Sequence, residues 1–263
     1  MTRPFRLAVN GASGRMGRAL LDLLGADGDA ELVHAVVAPG SIHAGQPVPG
    51  VANGTLRYAH DWTQAPPIDV IVDFSTPAAL GAALDHCLER GIALVSGTTG
   101  IDGALTSRLA DAARQIAVLR AANFSLGVAL LARLLREAAS ALPAWDLEIV
   151  EAHHGRKRDA PSGTALALGE VAAAARHTTL EAAAAFERGG ERVDGSIGFA
   201  VIRGGDIVGE HQVMLIGQGE RLELVHRATD RSIFARGALH AAHWLAGRPA
   251  GQWRLDDVIA TRP

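Results

Sequence analysis

The feature that most constrains the fold is a regular alternation of short apolar strands with helices along the first half of the chain. An apolar run over residues 5–10 ends in a glycine turn, and apolar residues then recur from Met16 to Leu24 at the spacing of one helix face. Further strands are predicted at 32–37, 68–74, 92–96 and 116–120, with helices at about 75–90 and 102–115. Strands that alternate with helices predict an α/β fold whose N-terminal part is a doubly wound, parallel, Rossmann-like sheet.

The glycine turn after the first strand reads Gly11-Ala12-Ser13-Gly14-Arg15-Met16-Gly17. Glycines at this spacing permit a tight turn, close approach of the backbone to a pyrophosphate, and close packing of helix on strand. We interpret the turn as a dinucleotide site, although an ordinary strand–helix turn is the alternative. The acidic residue that would hold the ribose of NAD is replaced by Val37-Ala38, and Arg15 is the nearest cation for a 2′-phosphate. The choice between NADH and NADPH therefore stays open.

The second half of the chain has a different pattern. Long helices are predicted at 126–142 and 164–176, and strands at 196–203, 209–216 and 221–227 suggest a second α+β domain with a mostly antiparallel sheet. A final helix is expected at 232–245, and the segment from Ala121 to Ser125 is interpreted as a hinge. We therefore expect a dinucleotide-binding domain of residues 1–124 plus 232–263, and a substrate-binding and oligomerisation domain of residues 125–231.

The richest stretch for chemistry runs from Glu151 to Thr164 and reads E-A-H-H-G-R-K-R-D-A-P-S-G-T. Histidine has the side-chain pKa closest to neutrality, and a crowded lysine gives up its proton more easily than an isolated one. The Pro-Ser-Gly-Thr segment begins a helix, whose N-terminal amides receive anions. A solvated basic turn is the alternative, but the paired histidines favour a site that binds and protonates a dianionic small molecule.

Composition excludes several classes of function. A net charge of −3 gives no electrostatic reason to expect nucleic acid, and no apolar run is long enough to cross a membrane. The start of the chain has no secretory pattern, so we expect a cytoplasmic protein. A single cysteine, Cys87, excludes an internal disulfide and a site with several thiolates. We expect no metal, because His153 and His154 are neighbours on a strand and point to opposite faces. His211, beside Glu210, is assigned to a sheet turn.

Taken together, these motifs resemble the dihydrodipicolinate reductase family over nearly the whole chain. The resemblance rests on the glycine turn, Asp73-Phe-Ser75, Gly97-Thr-Thr-Gly100, Ala121-Ala-Asn-Phe124, the Glu151–Thr164 stretch and Arg203-Gly-Gly-Asp-Ile-Val-Gly-Glu-His211. It implies that His153 and Lys157 are the proton donors. It implies substrate binding by His154, Gly163, Thr164 and Arg231. It implies cofactor binding by Gly11, Ala12, Ser13, Gly14, Arg15, Met16, Gly97, Thr98, Thr99, Ala121, Ala122, Asn123 and Phe124.

The resemblance also implies an activity, namely reduction of the cyclic imine 4-hydroxy-tetrahydrodipicolinate (dihydrodipicolinate) by NADPH or NADH in lysine and diaminopimelate biosynthesis. It implies a small dicarboxylate substrate and a homotetramer. Which of His153 and Lys157 delivers the proton stays open. The alternatives are a two-domain reductase of another imine or carbonyl acid and a non-catalytic dinucleotide sensor. The chain departs from the family pattern at Val37-Ala38 and at Gly155, where the family has a larger, usually polar residue.

Overall fold

A computed structural model describes residues 4–51 and 55–260, which form two compact units. The first unit comprises the described residues up to Ser125 together with those from Ser232 onward, and the second comprises Leu126–Arg231. No helix within the described ranges is both long and apolar enough to span a membrane.

The first unit contains a six-stranded sheet in which every pairing is parallel. Its strands, in spatial order, are β11 (Gly251–Trp253), β5 (Ala117–Arg120), β4 (Ala93–Ser96), β3 (Val70–Asp73), β1 (Phe5–Asn10) and β2 (Ala30–Val36). The predicted doubly wound parallel sheet is confirmed. Strand β11 was not predicted, because three residues are too few to show an alternating pattern.

The helices of the first unit are α1 (Arg15–Leu24), α2 (Pro77–Arg90), α3 (Gly103–Ala112), α7 (Ser232–Leu245) and α8 (Leu255–Ala260). Local signals explain where α2 and α3 begin, because Thr76 and Asp102 each accept a hydrogen bond from an amide of the first turn. Helix α2 ends at Gly91, whose φ of 68° is a left-handed conformation that favours glycine.

The second unit contains a mixed five-stranded sheet. Its strands, in spatial order, are β10 (Arg221–Ala228), β9 (Gly209–Ile216), β6 (Asp146–His153), β8 (Ile197–Arg203) and β7 (Ala184–Ala185). Strand β9 is antiparallel to both of its neighbours, whereas β6, β8 and β7 run parallel to one another. The expected second α+β domain is present. Its sheet was expected to be mostly antiparallel, and two of its four strand pairings are parallel.

Helices cover one face of this second sheet. They are α4 (Leu126–Ala141), α5 (Gly163–Ala175) and the short α6 (Leu180–Ala183). Leu135 of α4 and Leu168 of α5 pack in one buried cluster with Leu147 and Ile149 of β6. Strand β6 lies at the centre of the sheet and packs under α5, while α4 packs over β9 and β10, so the C-terminal end of β6 is held from several sides. This end carries Glu151 and His153.

Close backbone packing joins α7 to the segment after β5. Gly237 of α7 lies so near Phe124 that an added Cβ would collide with the Phe124 carbonyl oxygen. The Phe124 side chain is only 2% exposed and contacts the ring of Phe74 edge-on, with 5.5 Å between ring centroids. The position of residues 121–124 therefore depends on a glycine more than 100 positions later in the chain.

We predict that Gly237→Ala destabilises the protein by about 1–3 kcal/mol, because the added methyl group has no space beside Phe124. Urea denaturation would measure the change in the free energy of unfolding. Gly103→Ala is the matched control, because Gly103 is also helical but has open space around it, and its stability should stay within about 0.5 kcal/mol of the wild type. Equal stability of Gly237→Ala and the wild type would contradict the packing described.

Candidate active site

The glycine turn of the first unit is closed around its own backbone. Gly11 has a φ of 80°, and a Cβ there would collide with the Phe74 carbonyl oxygen, while a Cβ at Gly17 would collide with the Gly11 oxygen. Helix α1 begins next to the turn with Gly14 as its N-cap residue, and it has neither a side-chain cap nor an acidic residue in its first turn. No side chain of the helix start competes for its first amides, and such a helix N-terminus is suited to binding the pyrophosphate of a dinucleotide.

A fully buried carboxylate, Asp73, joins the strand ends around this turn. Its Oδ1 accepts hydrogen bonds from the side chains of Asn10 and Ser75, and its Oδ2 accepts from Ser96 at 2.8 Å and Thr98 at 2.7 Å. These donors come from the ends of β1, β3 and β4, so one carboxylate sets the spacing between the glycine turn and the Gly97-Thr98-Thr99 segment. The sequence showed Asp73 only as part of a motif, without a role.

The other residues expected to bind a cofactor lie in the same unit. The amide of Ala121 donates to the Ser96 carbonyl oxygen at 3.1 Å, which places the 121–124 segment next to the end of β4. Asn123 orients its carbonyl Oδ1 toward the Ser125 amide at 2.8 Å. At the end of β2, Val37 is buried and Ala38 is exposed, so this position offers only apolar side chains to a ribose.

In the second unit the central group is Glu151, whose carboxylate is 1% exposed and accepts four hydrogen bonds. Its Oε1 accepts from the Ser162 amide at 3.0 Å and from Arg203 Nη2 at 2.6 Å. Its Oε2 accepts from Arg203 Nη1 at 2.7 Å and lies 2.6 Å from His153 Nδ1. Burial alone would raise the pKa of Glu151, but the hydrogen bonds from Arg203, His153 and Ser162 together lower it.

Glu151 thus ties together three segments: β6, the end of β8, and the start of α5. Arg203 also donates to the carbonyl oxygen of Asp159 at 2.7 Å, which fastens the intervening loop. Neither Glu151 nor Arg203 was given a role from the sequence. One signal was available, because Glu151 and His153 are two residues apart on a strand and so share a face.

The expectation that His211 belongs to a sheet turn is wrong. His211 lies in β9 directly opposite Glu151 of β6, and it is only 4% exposed. Its Nε2 is 3.1 Å from Ser162 Oγ. Its ring meets the His153 ring edge-on, with 5.3 Å between the ring centroids. Burial lowers the pKa of His211 to about 4, with a smaller contribution from His153. Sequence alone missed this residue because the pairing of β9 with β6 is set over 60 positions of chain.

The loop after β6 carries the remaining polar residues of the motif. Lys157 is one-fifth exposed, and its Nζ forms an ion pair with Asp159 at 2.8 Å, which lowers the pKa of that carboxyl. Partial burial lowers the pKa of His154, and the positive charges of Arg231 and Arg156 lower it further. His154 is therefore a neutral hydrogen-bonding group at pH 7.

The motif ends at the N-terminus of α5. The Ser162 hydroxyl caps the helix by accepting from the Ala165 amide at 3.2 Å, and Gly163 and Thr164 form the first turn. Gly163 is exposed at this end of the helix. In the second unit, then, the expected proton donors and the expected substrate-binding residues of the 151–164 stretch surround one strand end and one helix start. No group of three side chains in residues 4–51 and 55–260 is arranged to bind a metal ion.

The composition of the chain also singles out Lys157. Of the 25 lysine and arginine residues in the chain, only this one is a lysine. Arginine and lysine are comparable where only a surface charge is needed, but lysine alone offers a compact ammonium that can lose a proton. A chain that uses arginine everywhere else therefore marks position 157 as one where the chemistry of the ammonium matters.

The low pKa of His211 predicts a pH dependence of stability. Between about pH 6.5 and pH 4 the unfolded chain binds a proton at this residue and the folded chain does not, so stability decreases as the pH falls, by about 1.4 kcal/mol per pH unit. We expect His211→Gln to remove this contribution, so that the stability of the variant falls less steeply over the same range. Urea denaturation at several pH values would measure both slopes.

The control is His240→Gln, since His240 is exposed on α7, and this variant should keep the slope of the wild type. Parallel stability–pH curves for His211→Gln and the wild type would show that His211 is protonated in the folded protein.

Comparison with known proteins agrees with this arrangement. Two family models match the chain, "Dihydrodipicolinate reductase, N-terminus" over residues 5–124 and "Dihydrodipicolinate reductase, C-terminus" over residues 127–259. A 4-hydroxy-tetrahydrodipicolinate reductase from Xanthomonas campestris pv. campestris (strain B100) is 47% identical over 259 residues, covering 98% of this chain and 99% of the relative. A protein of the same name from Thiobacillus denitrificans (strain ATCC 25259 / T1) is 45% identical over 264 residues, with 98% and 99% covered.

Among solved structures, the dipicolinate-bound dihydrodipicolinate reductase from Paenisporosarcina sp. TG-14 has the same fold. Its TM-score is 0.80 at 22% identity, and the match covers 97% of this chain and 99% of that protein. The two family models together span nearly the whole chain, and the full-length relatives are more than 40% identical. The chain therefore belongs to the dihydrodipicolinate reductase family.

Proposed function

We propose that this protein is an NADH- or NADPH-dependent oxidoreductase that reduces 4-hydroxy-tetrahydrodipicolinate (dihydrodipicolinate) to tetrahydrodipicolinate in lysine and diaminopimelate biosynthesis. The observation that carries the proposal is the cluster of proton carriers and cations built around Glu151 in a member of this family. Family membership does not favour the alternatives, a reductase of another carbonyl acid or a dinucleotide sensor, and the cluster of histidines and Lys157 has no use in a sensor.

We assign cofactor binding to the first unit. The closed glycine turn, the uncapped start of α1 and the strand ends joined by Asp73 support this assignment. A bound nicotinamide cofactor supplies the hydride. The residues assigned to it are Gly11, Ala12, Ser13, Gly14, Arg15, Met16, Gly97, Thr98, Thr99, Ala121, Ala122, Asn123 and Phe124.

We assign substrate binding to the second unit. The substrate carries two carboxylates, and the relative from Paenisporosarcina contains dipicolinate, which is also a dicarboxylate. Arg231, neutral His154 and the first turn of α5 at Gly163 and Thr164 offer a cation, a ring N–H and helix amides to such groups. Each charge-assisted hydrogen bond contributes roughly 1.5–3 kcal/mol.

We assign proton delivery to the pair His153 and Lys157. Conversion of 4-hydroxy-tetrahydrodipicolinate to tetrahydrodipicolinate releases the 4-hydroxyl group as water, which leaves the conjugated ring of dihydrodipicolinate. Reduction of that ring adds one hydride and one proton, so each turnover needs a group that can give up a proton near neutral pH. His153 is hydrogen-bonded to a carboxylate on one side of its ring, and Lys157 is held by Asp159.

The oligomeric state and the cellular location of the protein are also proposals. We propose a homotetramer assembled through the second unit, where apolar side chains are exposed on α4, β8 and β10. These side chains are Leu130, Leu134, Val201, Ile202, Leu222 and Val225. Partner copies that cover them would remove apolar surface from water. We propose a cytoplasmic location because the family acts in amino-acid biosynthesis.

We predict that Lys157→Ala lowers kcat by about 10²–10⁴-fold and leaves the Kd of NADPH within about threefold of the wild type, because Lys157 belongs to the unit that binds substrate. Turnover is measured by the absorbance of NADPH, with the cyclic imine generated by a synthase from pyruvate and aspartate semialdehyde. Arg133→Ala, which removes an exposed cation of the same unit, is the control and should retain wild-type kcat. Equal losses of turnover and of NADPH binding in Lys157→Ala would contradict this division of labour.

We also predict that Ala38→Asp shifts the preference toward NADH by at least about tenfold in kcat/KM. A carboxylate at the exposed end of β2 accepts from the ribose hydroxyl of NADH and repels the 2′-phosphate of NADPH. The ratio of kcat/KM for the two cofactors is the measurement. Ala38→Asn has the same shape without the charge and serves as control, so an equal shift in both variants would exclude repulsion as the cause.

A further inference from the structure

The hydrogen bond to Glu151 makes the Nδ1 nitrogen of His153 a hydrogen-bond donor. The carboxylate is nearly inaccessible to water, and its orientation is determined by both terminal nitrogens of Arg203 and by the Ser162 amide. These bonds keep Glu151 ionised, so both of its oxygens are acceptors. His153 Nδ1, at 2.6 Å from Oε2, can then only be a donor.

The other ring nitrogen of His153, Nε2, is available to bind a substrate. Within the part of the chain that the structure describes, His153 Nε2 has no hydrogen-bond partner, and the ring is partly exposed. Strand β9 begins beside this nitrogen with Gly209, where a Cβ would stand 3.0 Å from Nε2. Glycine at this position therefore keeps Nε2 from being covered by a neighbouring side chain.

We propose that Glu151, clamped by Arg203, is the positioning residue of His153: it reserves Nδ1 as a donor and presents Nε2 as the nitrogen that gives the proton to the substrate. The proposal rests on the function proposed above and names the working atom of that site. Glu151 itself does not touch the substrate. It acts through the orientation, tautomer and charge of the imidazole, as the carboxylate does in carboxylate–histidine pairs of other enzymes.

The proton step balances as follows. Once the hydride has brought two electrons to the ring, the Nε2–H bond of the imidazolium breaks and its electron pair stays on the imidazole. The proton forms its new bond with the electron pair of the reduced substrate. His153 becomes the neutral Nδ1–H tautomer, still bonded to Glu151, and takes its next proton from water.

The charges that face His153 are compatible with a protonated ring. The positive charge of Arg203 is opposed by Glu151 at two contacts, and the charge of Lys157 by Asp159. The neighbouring ring of His211 is neutral above about pH 4, and the lowered pKa of His154 makes it neutral as well. Neither imidazole therefore repels an imidazolium at position 153.

The first test uses the wild-type protein alone. Histidine is labelled with ¹⁵N, and long-range proton–nitrogen correlation spectra report which ring nitrogen carries the proton. The His153 signals are identified by their loss in His153→Asn. We expect neutral His153 as the Nδ1–H tautomer, the reverse of the form preferred by a free histidine side chain. A neutral Nε2–H tautomer would overturn the proposal, and this result does not depend on activity or on the folding of a variant at position 151.

The second test compares three variants by kcat and its pH profile. Glu151→Gln should lower kcat about 10²-fold, leave the Kd of NADPH unchanged, and move the alkaline fall of activity to lower pH, because no carboxylate stabilises the imidazolium. Glu151→Asp, which retains the charge, should recover part of the rate. The matched control is Glu148→Gln, because Glu148 lies on the same strand and also pairs with two arginines, Arg188 and Arg192, but contacts no histidine.

An unchanged pH profile in Glu151→Gln, or an equal loss of kcat in Glu148→Gln, would assign Glu151 a purely structural role and overturn the proposal. The proposed function fails separately. If the wild-type protein does not oxidise NADH or NADPH in the presence of the cyclic imine, that function is wrong, whereas the tautomer of His153 is still measured directly.

Discussion

The arrangement of the second unit depends on one buried ion pair, the two-point contact between Glu151 and Arg203. A carboxylate with 1% exposure is costly to bury unless it is both paired and fully hydrogen-bonded, and Glu151 is both. Breaking such a pair by removing one partner is more damaging than its small net contribution to stability suggests, because a charge is left unpaired. The pair thus specifies the geometry of β6, β8 and the start of α5 more than it stabilises them.

The first unit also has a buried carboxylate that accepts hydrogen bonds at the end of a strand. Asp73 ends the central strand β3 and collects donors from three strand ends, much as Glu151 collects donors near the end of β6. Loops at strand ends carry function but lack regular hydrogen bonding of their own. In both units a buried acid supplies the missing acceptors, and the loops around it are held without further secondary structure.

The two candidate proton carriers are held in different ways. His153 is hydrogen-bonded to the buried carboxylate of Glu151, which Arg203 and the Ser162 amide also bind, while Lys157 is paired with Asp159, which is well exposed. A rigid acid next to an imidazole determines which nitrogen carries a proton, whereas an exposed ion pair is easily exchanged for a ligand's carboxylate. Lys157 can thus exchange Asp159 for a carboxylate of the ligand, whereas His153 keeps its hydrogen bond to Glu151.

How much could be predicted differs between the fold and the site. Strand–helix alternation, the glycine turn and hydroxyl or Asp caps are local patterns, so the parallel sheet and the starts of α2 and α3 were predictable. The site residues of the Glu151–Thr164 stretch likewise lie within one short segment. This segment carries most of the resemblance to a known family, so the resemblance was visible in the sequence. His211, Arg203 and the Phe124–Gly237 contact were not predictable, because pairing between distant strands and helices brings them together.

By itself, then, the sequence determined the fold class, the chemical groups available and the family to which they point, since these depend on composition and on spacing along a few turns of chain. The tertiary structure decided which of those groups are neutral, which are ionised and which atom of each is free to react. Burial, strand register and buried hydrogen bonds set those properties, and they act between residues that are distant in sequence, such as Glu151 and His211, which are 60 positions apart.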